Sequence, residues 1–321
     1  MSPGDPQPKL LVLGAGALGG YYGGRLAQAG VDVTFLVRPR REEQLRRDGL
    51  RIESPLGNLS RPVATVRADT VAPGYDFVLL TSKAYDLDAA MDAIAPAMNG
   101  RCAIVPILNG MAHYERLDRR FGEGTVMGGT AMIDATLAPD GVIHHNGTLQ
   151  RIVFGERDGR RTPRVEWLAA MFARSSLEAM LAPDIVQVLW DKLVFLSALA
   201  ATTCLFRANV REIMAAPGGK EAVERTLAAN ALVAAAAGHP LREDVLATAR
   251  TRLTDPAGTW SASLLRDMEA GGQVEADHIL GWMLDQARRY QVDDTMLSLA
   301  YTALKAYEAR RDAGRLLPRP T

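Results

Sequence analysis

LLVLGAGALGGYYGGRLAQAG, the stretch from Leu10 to Gly30, decides the fold of this chain. Its first four residues are aliphatic and predict a buried strand, and the residues from Ala17 to Ala29 predict a helix that ends at Gly30. The run VDVTFLV that follows, Val31 to Val37, predicts a second strand. A strand, a helix and a further strand in this order indicate the βαβ unit of a parallel sheet.

Three glycines lie between the end of the first strand and the first turn of the helix. Gly14, Gly16 and Gly19 have the G-x-G-x-x-G spacing of a dinucleotide-binding turn. In such a turn the first glycine permits the tight bend, the second lets the backbone approach the pyrophosphate, and the third lets the helix lie close to the strand. The phosphates then meet the unpaired N–H groups and the positive dipole end of the helix.

The rest of the chain predicts an α/β fold, with an N-terminal Rossmann-type dinucleotide-binding domain and a C-terminal all-α domain. Strands are predicted at FVLLTS, CAIVPIL and TVMGGTAMI, and a hairpin is predicted around Asn146-Gly147. From about Arg164 the strand pattern stops, and helices separated by glycine- and proline-containing turns follow. The alanine-rich tract RTLAANALVAAAAGHP predicts a buried helix. We place the dinucleotide-binding domain at residues 1–180 and a helical substrate-binding and dimerisation domain at 181–321.

Composition argues against several classes of protein. The 37 basic residues balance the 37 acidic ones, so no global charge favours nucleic acid or a membrane surface. Cys102 and Cys204 lie in apolar runs, and neither a disulfide framework nor a metal site is expected. The uncharged run Leu193 to Phe206 is shorter than the ~20 residues of a membrane span, and the polar, proline-rich start predicts a flexible leader instead of a signal peptide. We expect a cytoplasmic protein with a small-molecule substrate.

The second strand ends in FLVRPRR, which bears on the choice of nicotinamide cofactor. An acidic residue near this point holds the ribose hydroxyls of NAD, whereas an arginine accommodates the 2′-phosphate of NADP. Arg38 occupies that place, Arg40 and Arg41 follow, and the first carboxylate is Glu42. The pattern favours NADP(H) over NAD(H); the plainer alternative is that the arginines form a solvated loop.

Several side chains could carry chemistry, each with a plainer alternative. Lys192 lies on an apolar helical stripe, where desolvation lowers a lysine pKa and suits it to general-acid catalysis; by spacing alone it could also reach solvent or pair with a carboxylate. Glu275 opens a predicted helix and could simply favour its dipole. Ser263 could hold a carboxylate or cap a helix. Asn109 and Lys83 follow predicted strands, at the edge where such sheets bind ligands, and could instead be turn and surface residues.

Together these segments resemble the ketopantoate reductase family, whose members reduce 2-dehydropantoate to pantoate with NADPH. The resemblance spans Lys9 to about Glu308. It rests on LGAGALGGYYGGRL, LLTSKAYD, LNGM, VLWDKL and SASLLRDMEAGGQVEADHILG.

The resemblance implies a role for each candidate. Gly14, Gly16 and Gly19 would bind the pyrophosphate, Arg38 the 2′-phosphate, and Lys83 and Asn109 the cofactor, with Asn109 near the substrate as well. Lys192 would protonate the new alkoxide. Ser263 would help to hold the substrate carboxylate, and Glu275 would accept a hydrogen bond from a substrate hydroxyl.

Three positions depart from the family pattern. Leu196 and Ala200 stand where the family has asparagines one and two turns after the lysine, and Trp260 replaces another substrate-binding asparagine. A pocket without these amides loses affinity for hydroxyl groups. The sequence therefore predicts an NADPH-dependent 2-oxo acid reductase, by resemblance of 2-dehydropantoate. A reductase of a more apolar 2-oxo acid, a non-catalytic NADP(H)-binding sensor and an NAD-dependent 2-hydroxy-acid dehydrogenase remain as alternatives. The apolar faces of the helical half favour a homodimer.

Overall fold

The structure, a computed structural model, describes residues 8–316. The chain divides into two units. The first runs to Leu108 and resumes over His113–Val186, and the second takes Asn109–Ala112 and the chain from Gln187 onward. The predicted leader lies almost entirely outside the described residues, and Lys9 already begins the first strand.

Two sheets form the first unit. In chain order, its strands are β1 (Lys9–Leu13), β2 (Asp32–Leu36), β3 (Leu50–Glu53), β4 (Leu59–Arg61), β5 (Ala64–Val66), β6 (Phe77–Leu80), β7 (Ala103–Pro106), β8 (Gly128–Leu137), β9 (Val142–Gly155) and β10 (Glu178–Leu181). One sheet has the order β5-β2-β1-β6-β7 and is parallel throughout. The other has the order β10-β9-β3-β4, with β8 antiparallel to β9. The parallel sheet confirms the predicted Rossmann-like architecture.

Helices α1 to α5 accompany these sheets, and the second unit is helical. The helices of the first unit are α1 (Ala17–Gln28), α2 (Pro39–Asp48), α3 (Leu87–Ile94), α4 (Ala112–Phe121) and α5 (Pro163–Ala173). Those that follow are α6 (Ile185–Phe206), α7 (Val210–Ala215), α8 (Gly219–Ala236), α9 (Glu243–Leu253), α10 (Ser263–Glu269), α11 (Trp282–Arg289) and α12 (Thr295–Asp312), with a π-helical turn at Asp277–Gly281 before α11. The prediction of an all-α second half is confirmed.

Helix α1 packs against both sheets because glycine lines its faces. A methyl group on Gly23 would lie 2.7 Å from the Phe35 ring of β2, and one on Gly24 would lie 2.8 Å from Leu50 of β3. The glycines that continue beyond the turn therefore serve helix–sheet packing. This explains why the opening stretch holds more glycines than a nucleotide needs.

The structure corrects two predictions about strands. The turn between β8 and β9 is at Asp140-Gly141, where the Gly141 N–H donates to the Ala138 carbonyl, and not at Asn146-Gly147. Gly147 lies within β9, where the pairing register jumps, and has a φ of +81°. The prediction that the strands stop at about Arg164 was also wrong, because β10 follows that residue and pairs in parallel with β9. The first unit accordingly extends to Val186, beyond the boundary predicted at residue 180.

The apolar helices of the second unit are mostly buried. Helix α8 takes in most of the alanine-rich tract and buries one face, which includes Leu227 and Val233, whereas Leu232 on the same helix is exposed. Helix α6 begins at Ile185 and is longer than the uncharged run seen in the sequence. By length and composition alone it could cross a membrane, but 67% of its most apolar window is buried inside the protein, as in a core helix.

Candidate active site

The glycine turn of the first unit has the geometry of a pyrophosphate cradle. Gly14 follows β1 with a φ of +91°, which favours glycine, and its N–H donates to the Leu36 carbonyl of β2 at 2.9 Å. A methyl group on Gly19 would lie 2.2 Å from the Gly14 carbonyl oxygen. A methyl group on Gly16 would meet no protein atom within 4 Å. The backbone conformation therefore favours glycine at Gly14, and close packing requires it at Gly19, whereas an added methyl group at Gly16 would enter open space.

The open space lies at the N-terminus of α1. Gly16 caps the helix without a side-chain hydrogen bond, and the first turn carries no acidic residue. Its first N–H groups and the positive end of its dipole suit an anion. The turn follows β1, which lies between β2 and β6 at the point where the strand order reverses. The residues at this edge fit the pyrophosphate of a dinucleotide.

The charged residues around this edge have distinct partners. Arg38 follows β2, has a side chain that is 77% exposed, and forms an ion pair with Asp86 at 3.1 Å. Lys83 is exposed and precedes a short 3₁₀ turn after β6. Arg41 supports the glycine turn instead, because its Nε donates to the Ala15 carbonyl at 3.0 Å. Sequence reasoning did not separate Arg41 from Arg38, since both belong to one arginine-rich segment.

Lys192 and Asn109 meet within the second unit. Lys192 lies in α6, and its Nζ donates to the Asn109 Oδ1 at 3.0 Å. Asn109 follows β7 in the sequence, yet its contacts group it with the helical unit. Desolvation lowers the pKa of Lys192 to about 8, and the negative charge of Glu275 partly opposes this shift. The ammonium is thus held by an amide oxygen and releases a proton more readily than an exposed lysine.

Glu275 and the π-helical turn complete the surroundings of Lys192. Glu275 is 5% exposed and immediately precedes the helix that contains the turn. His278, within the turn, is also buried and packs against Gly110. Gly110 has a φ of +82°, and a methyl group there would lie 2.9 Å from both the His278 ring and its carbonyl oxygen. π-Helical turns are common at functional sites, and this one abuts the residue that follows Asn109.

The Ser263 side chain forms no hydrogen bond with Lys192 in the described part of the chain. It is the first residue of α10 and does not cap that helix. The N–H of its neighbour Ala262 points to the Thr203 hydroxyl at 3.4 Å, about three turns beyond Lys192 along α6. The Ser263 hydroxyl forms no hydrogen bond among residues 8–316.

The three departures from the family pattern have different environments. Leu196, one turn after Lys192, is partly exposed, whereas Ala200 is completely buried. The Trp260 indole N–H is buried and has no acceptor within the described part of the chain. Of the three residues that replace the amides of the family pattern, Leu196 is apolar and partly exposed, Ala200 is buried in the core, and Trp260 has an indole N–H without an acceptor in the described part of the chain.

Cys102 and Cys204 are free and buried, and burial raises the pKa of each thiol to about 12. Over residues 8–316, no group of three or more His, Cys, Asp or Glu side chains is arranged to hold a metal ion.

Comparison with known proteins gives a consistent result. Residues 10–159 match the family model described as ketopantoate reductase PanE/ApbA, and residues 184–308 match the model of its C-terminal domain. The uncharacterized oxidoreductase YkpB of Bacillus subtilis is 35% identical over 94% of this chain and its own full length. A 2-dehydropantoate 2-reductase of Halobacterium salinarum is 27% identical, over 88% of this chain and 93% of the relative.

Solved structures have the same fold. The 2-dehydropantoate 2-reductase of Methylococcus capsulatus superposes with a TM-score of 0.84 at 28% identity, over 94% of this chain and 97% of that one. A D-mandelate dehydrogenase solved with NADH and anilino(oxo)acetate reaches the same TM-score at 20% identity, over 95% of this chain and 99% of that one. At that identity, the second similarity concerns the fold alone.

Proposed function

The chain belongs to the ketopantoate reductase family and is an oxidoreductase that acts on CH–OH groups, and on that premise we propose that it reduces a 2-oxo acid to the 2-hydroxy acid with NADPH. The proposed substrate is 2-dehydropantoate, with (R)-pantoate as the product, in pantothenate biosynthesis. The observation that carries the proposal is the hydrogen bond of 3.0 Å between the Lys192 Nζ and the Asn109 Oδ1.

Lys192 is proposed as the general acid. Reduction of a carbonyl places negative charge on its oxygen, and a proton donor beside that oxygen lowers the barrier. NADPH, when bound, supplies the hydride. Asn109 directs the ammonium, and desolvation brings the lysine pKa to about 8, which favours proton release near neutral pH. The negative charge of Glu275 raises the Lys192 pKa and so favours the protonated lysine. Glu275 is also proposed to accept a hydrogen bond from a substrate hydroxyl. Ser263 is proposed to hold the substrate carboxylate.

The preference for NADPH rests on the edge of the parallel sheet. Gly14, Gly16 and Gly19 are proposed to bind the pyrophosphate. Arg38 stands where the 2′-phosphate is bound in NADP-dependent relatives of this fold, and Lys83 is proposed as a second cofactor contact. The D-mandelate dehydrogenase with the same fold was solved with NADH, and the proposal is tested by comparing the dissociation constants of NADPH and NADH, of which the NADPH value should be the lower.

A more apolar 2-oxo acid is the second candidate substrate. Leu196 places an aliphatic side chain one turn from Lys192, and Trp260 carries a buried indole N–H without an acceptor. Pockets that lack polar partners discriminate poorly in favour of hydroxylated substrates. If 2-dehydropantoate is the substrate, Leu196→Asn should lower its KM several-fold, whereas the same change should raise the KM for an apolar substrate.

We also propose a cytoplasmic enzyme that forms a homodimer. Two free, buried cysteines are compatible with a reducing compartment. Leu232 and Leu299 are large apolar side chains of the second unit that remain exposed, and they support an interface between two copies. Sedimentation of wild type and a Leu232→Glu variant would test the dimer.

The activity is tested by following NADPH oxidation with 2-dehydropantoate, phenylpyruvate and branched-chain 2-oxo acids, while calorimetry measures cofactor binding. Selective turnover of 2-dehydropantoate supports the principal proposal. Turnover of only the apolar acids supports the second candidate. Tight NADPH binding without turnover of any acid contradicts both and favours the NADP(H)-binding sensor.

A further inference from the structure

An ion pair crosses the edge of the parallel sheet where the cofactor is proposed to bind. Arg38 follows β2, and Asp86 ends the 3₁₀ turn that follows β6. In the sheet, β1 lies between these two strands, and the glycine turn leaves β1 at the same edge. The Arg38 Nη2 donates a hydrogen bond to the Asp86 Oδ2 at 3.1 Å. The pair therefore joins the two strands that flank the glycine turn.

Arg38 differs from the other two arginines after β2. The Arg41 guanidinium donates through its Nε to the Ala15 carbonyl, and through its Nη1 to the Gly141 carbonyl and the Gln44 Oε1. The Arg40 side chain has neither a hydrogen bond nor an ion pair within residues 8–316. Among the three, Arg38 is the arginine bound to a carboxylate, and it is also the one proposed to bind the 2′-phosphate.

We propose that Asp86 is a specificity-determining residue that competes with the cofactor's 2′-phosphate for Arg38 and so weakens the preference for NADPH over NADH. The inference rests on the proposed function, because it requires Arg38 to meet the 2′-phosphate. A carboxylate bound to Arg38 occupies donors that the phosphate needs, and its negative charge repels a phosphate that carries nearly two charges. NADH has no 2′-phosphate and therefore escapes this competition.

The expected effect is modest because both side chains are accessible. Arg38 is 77% exposed and Asp86 is 41% exposed, and exposed ion pairs contribute little to binding equilibria. Removing the charge at Asp86 should tighten NADPH binding by about two- to fivefold at low salt. The NADH affinity should stay constant or fall, because a carboxylate can accept hydrogen bonds from ribose hydroxyls.

The test compares Asp86→Asn with the matched control Asp88→Asn. Asp88 lies two residues further along, is 78% exposed and pairs with Arg116 instead, so its loss changes the net charge equally without freeing Arg38. The dissociation constants of NADPH and NADH are measured for both variants and wild type by calorimetry. Asp86→Asn should lower the NADPH value at least twofold while Asp88→Asn leaves both values unchanged.

The inference is overturned by unchanged NADPH binding in Asp86→Asn, or by an equal gain in both variants, which would indicate a general charge effect. Arg38→Gln separates this inference from the cofactor proposal. If Arg38→Gln leaves the NADPH to NADH preference unchanged, the proposed 2′-phosphate contact is wrong. If it abolishes the preference, the gain from Asp86→Asn should disappear in the Arg38→Gln background, and a gain that persists contradicts competition for Arg38.

Discussion

The glycine turn and the Lys192 site differ in how far apart their residues lie in the sequence. Gly14, Gly16 and Gly19 lie within six consecutive residues, and their roles follow from local backbone geometry. Lys192 and Asn109 are 83 positions apart and meet only through the fold. The turn is thus a local structure, whereas the environment that makes Lys192 chemically useful is a property of the folded second unit.

The two regions also differ in what their residues do. The turn provides space and backbone N–H groups, which bind a phosphate without any titratable group. The Lys192 site depends on desolvation and on the charge of Glu275, which together determine a proton affinity. Variants in the turn should therefore change binding, and variants near Lys192 should change the chemical step.

Lys192→Met should show the largest difference between the effect on the chemical step and the effect on cofactor binding. Removing the general acid should lower kcat by about 10³-fold, because the new alkoxide then loses its proposed proton donor. Calorimetry should give an NADPH dissociation constant close to that of wild type. The matched control is Lys220→Met, since Lys220 is an exposed lysine of α8. Equal kcat values in the two variants would remove Lys192 from the mechanism.

Gly16→Ala should produce the opposite pattern. The added methyl group meets no protein atom within 4 Å, so the Tm without cofactor should not change, but the group fills the space proposed for the pyrophosphate. The NADPH dissociation constant should rise by about tenfold or more, or about 1.4 kcal/mol, with kcat at saturating NADPH preserved. Gly124→Ala is the control, because its methyl group also meets no protein atom within 4 Å. Normal NADPH binding by Gly16→Ala would show that the pyrophosphate lies elsewhere.

Gly110→Ala tests whether packing positions Asn109. The methyl group would press on His278, and a φ of +82° strains alanine. A displaced Asn109 amide should lower kcat by about tenfold, with a smaller change in NADPH binding. Gly238→Ala has a similar φ of +90° and open surroundings, so it reports strain alone. If both variants lose kcat equally, strain and not the position of Asn109 explains the loss.

The same contrast explains what could be predicted from the sequence. The first βαβ unit, the aliphatic strands and the helical second half depend on short-range patterns, and these predictions of the fold were confirmed. The hairpin predicted at Asn146-Gly147 was wrong because the sequence contains two turn signals, and the chain turns at the other one, Asp140-Gly141. Gly147 lies inside the long strand β9, where the pairing with β8 changes register. The strand β10 was missed because four residues are too few for a clear alternation.

Long-range contacts could not be predicted from spacing. The stripe around Lys192 allowed an exposed or a buried ammonium, and only the fold brings the Asn109 amide to it. Nothing local in LNGM indicates that His278 packs on Gly110. Similarly, the pairing of Arg38 with Asp86 depends on the strand order around β1. The roles of these residues in the reaction stay predictions until they are measured.

The smallest expected effect gives the most direct test that a desolvated Lys192 is the proton donor. The measurement is kcat/KM for the 2-oxo acid against pH, for wild type and Glu275→Gln, because kcat/KM reports the pKa of a group before the substrate binds. A general acid must be protonated, so wild-type kcat/KM should fall as the pH rises through about 8. Glu275 raises the Lys192 pKa, so Glu275→Gln should move this fall to lower pH. A kcat/KM that stays constant well above pH 8, or a fall that Glu275→Gln does not move, would contradict the account.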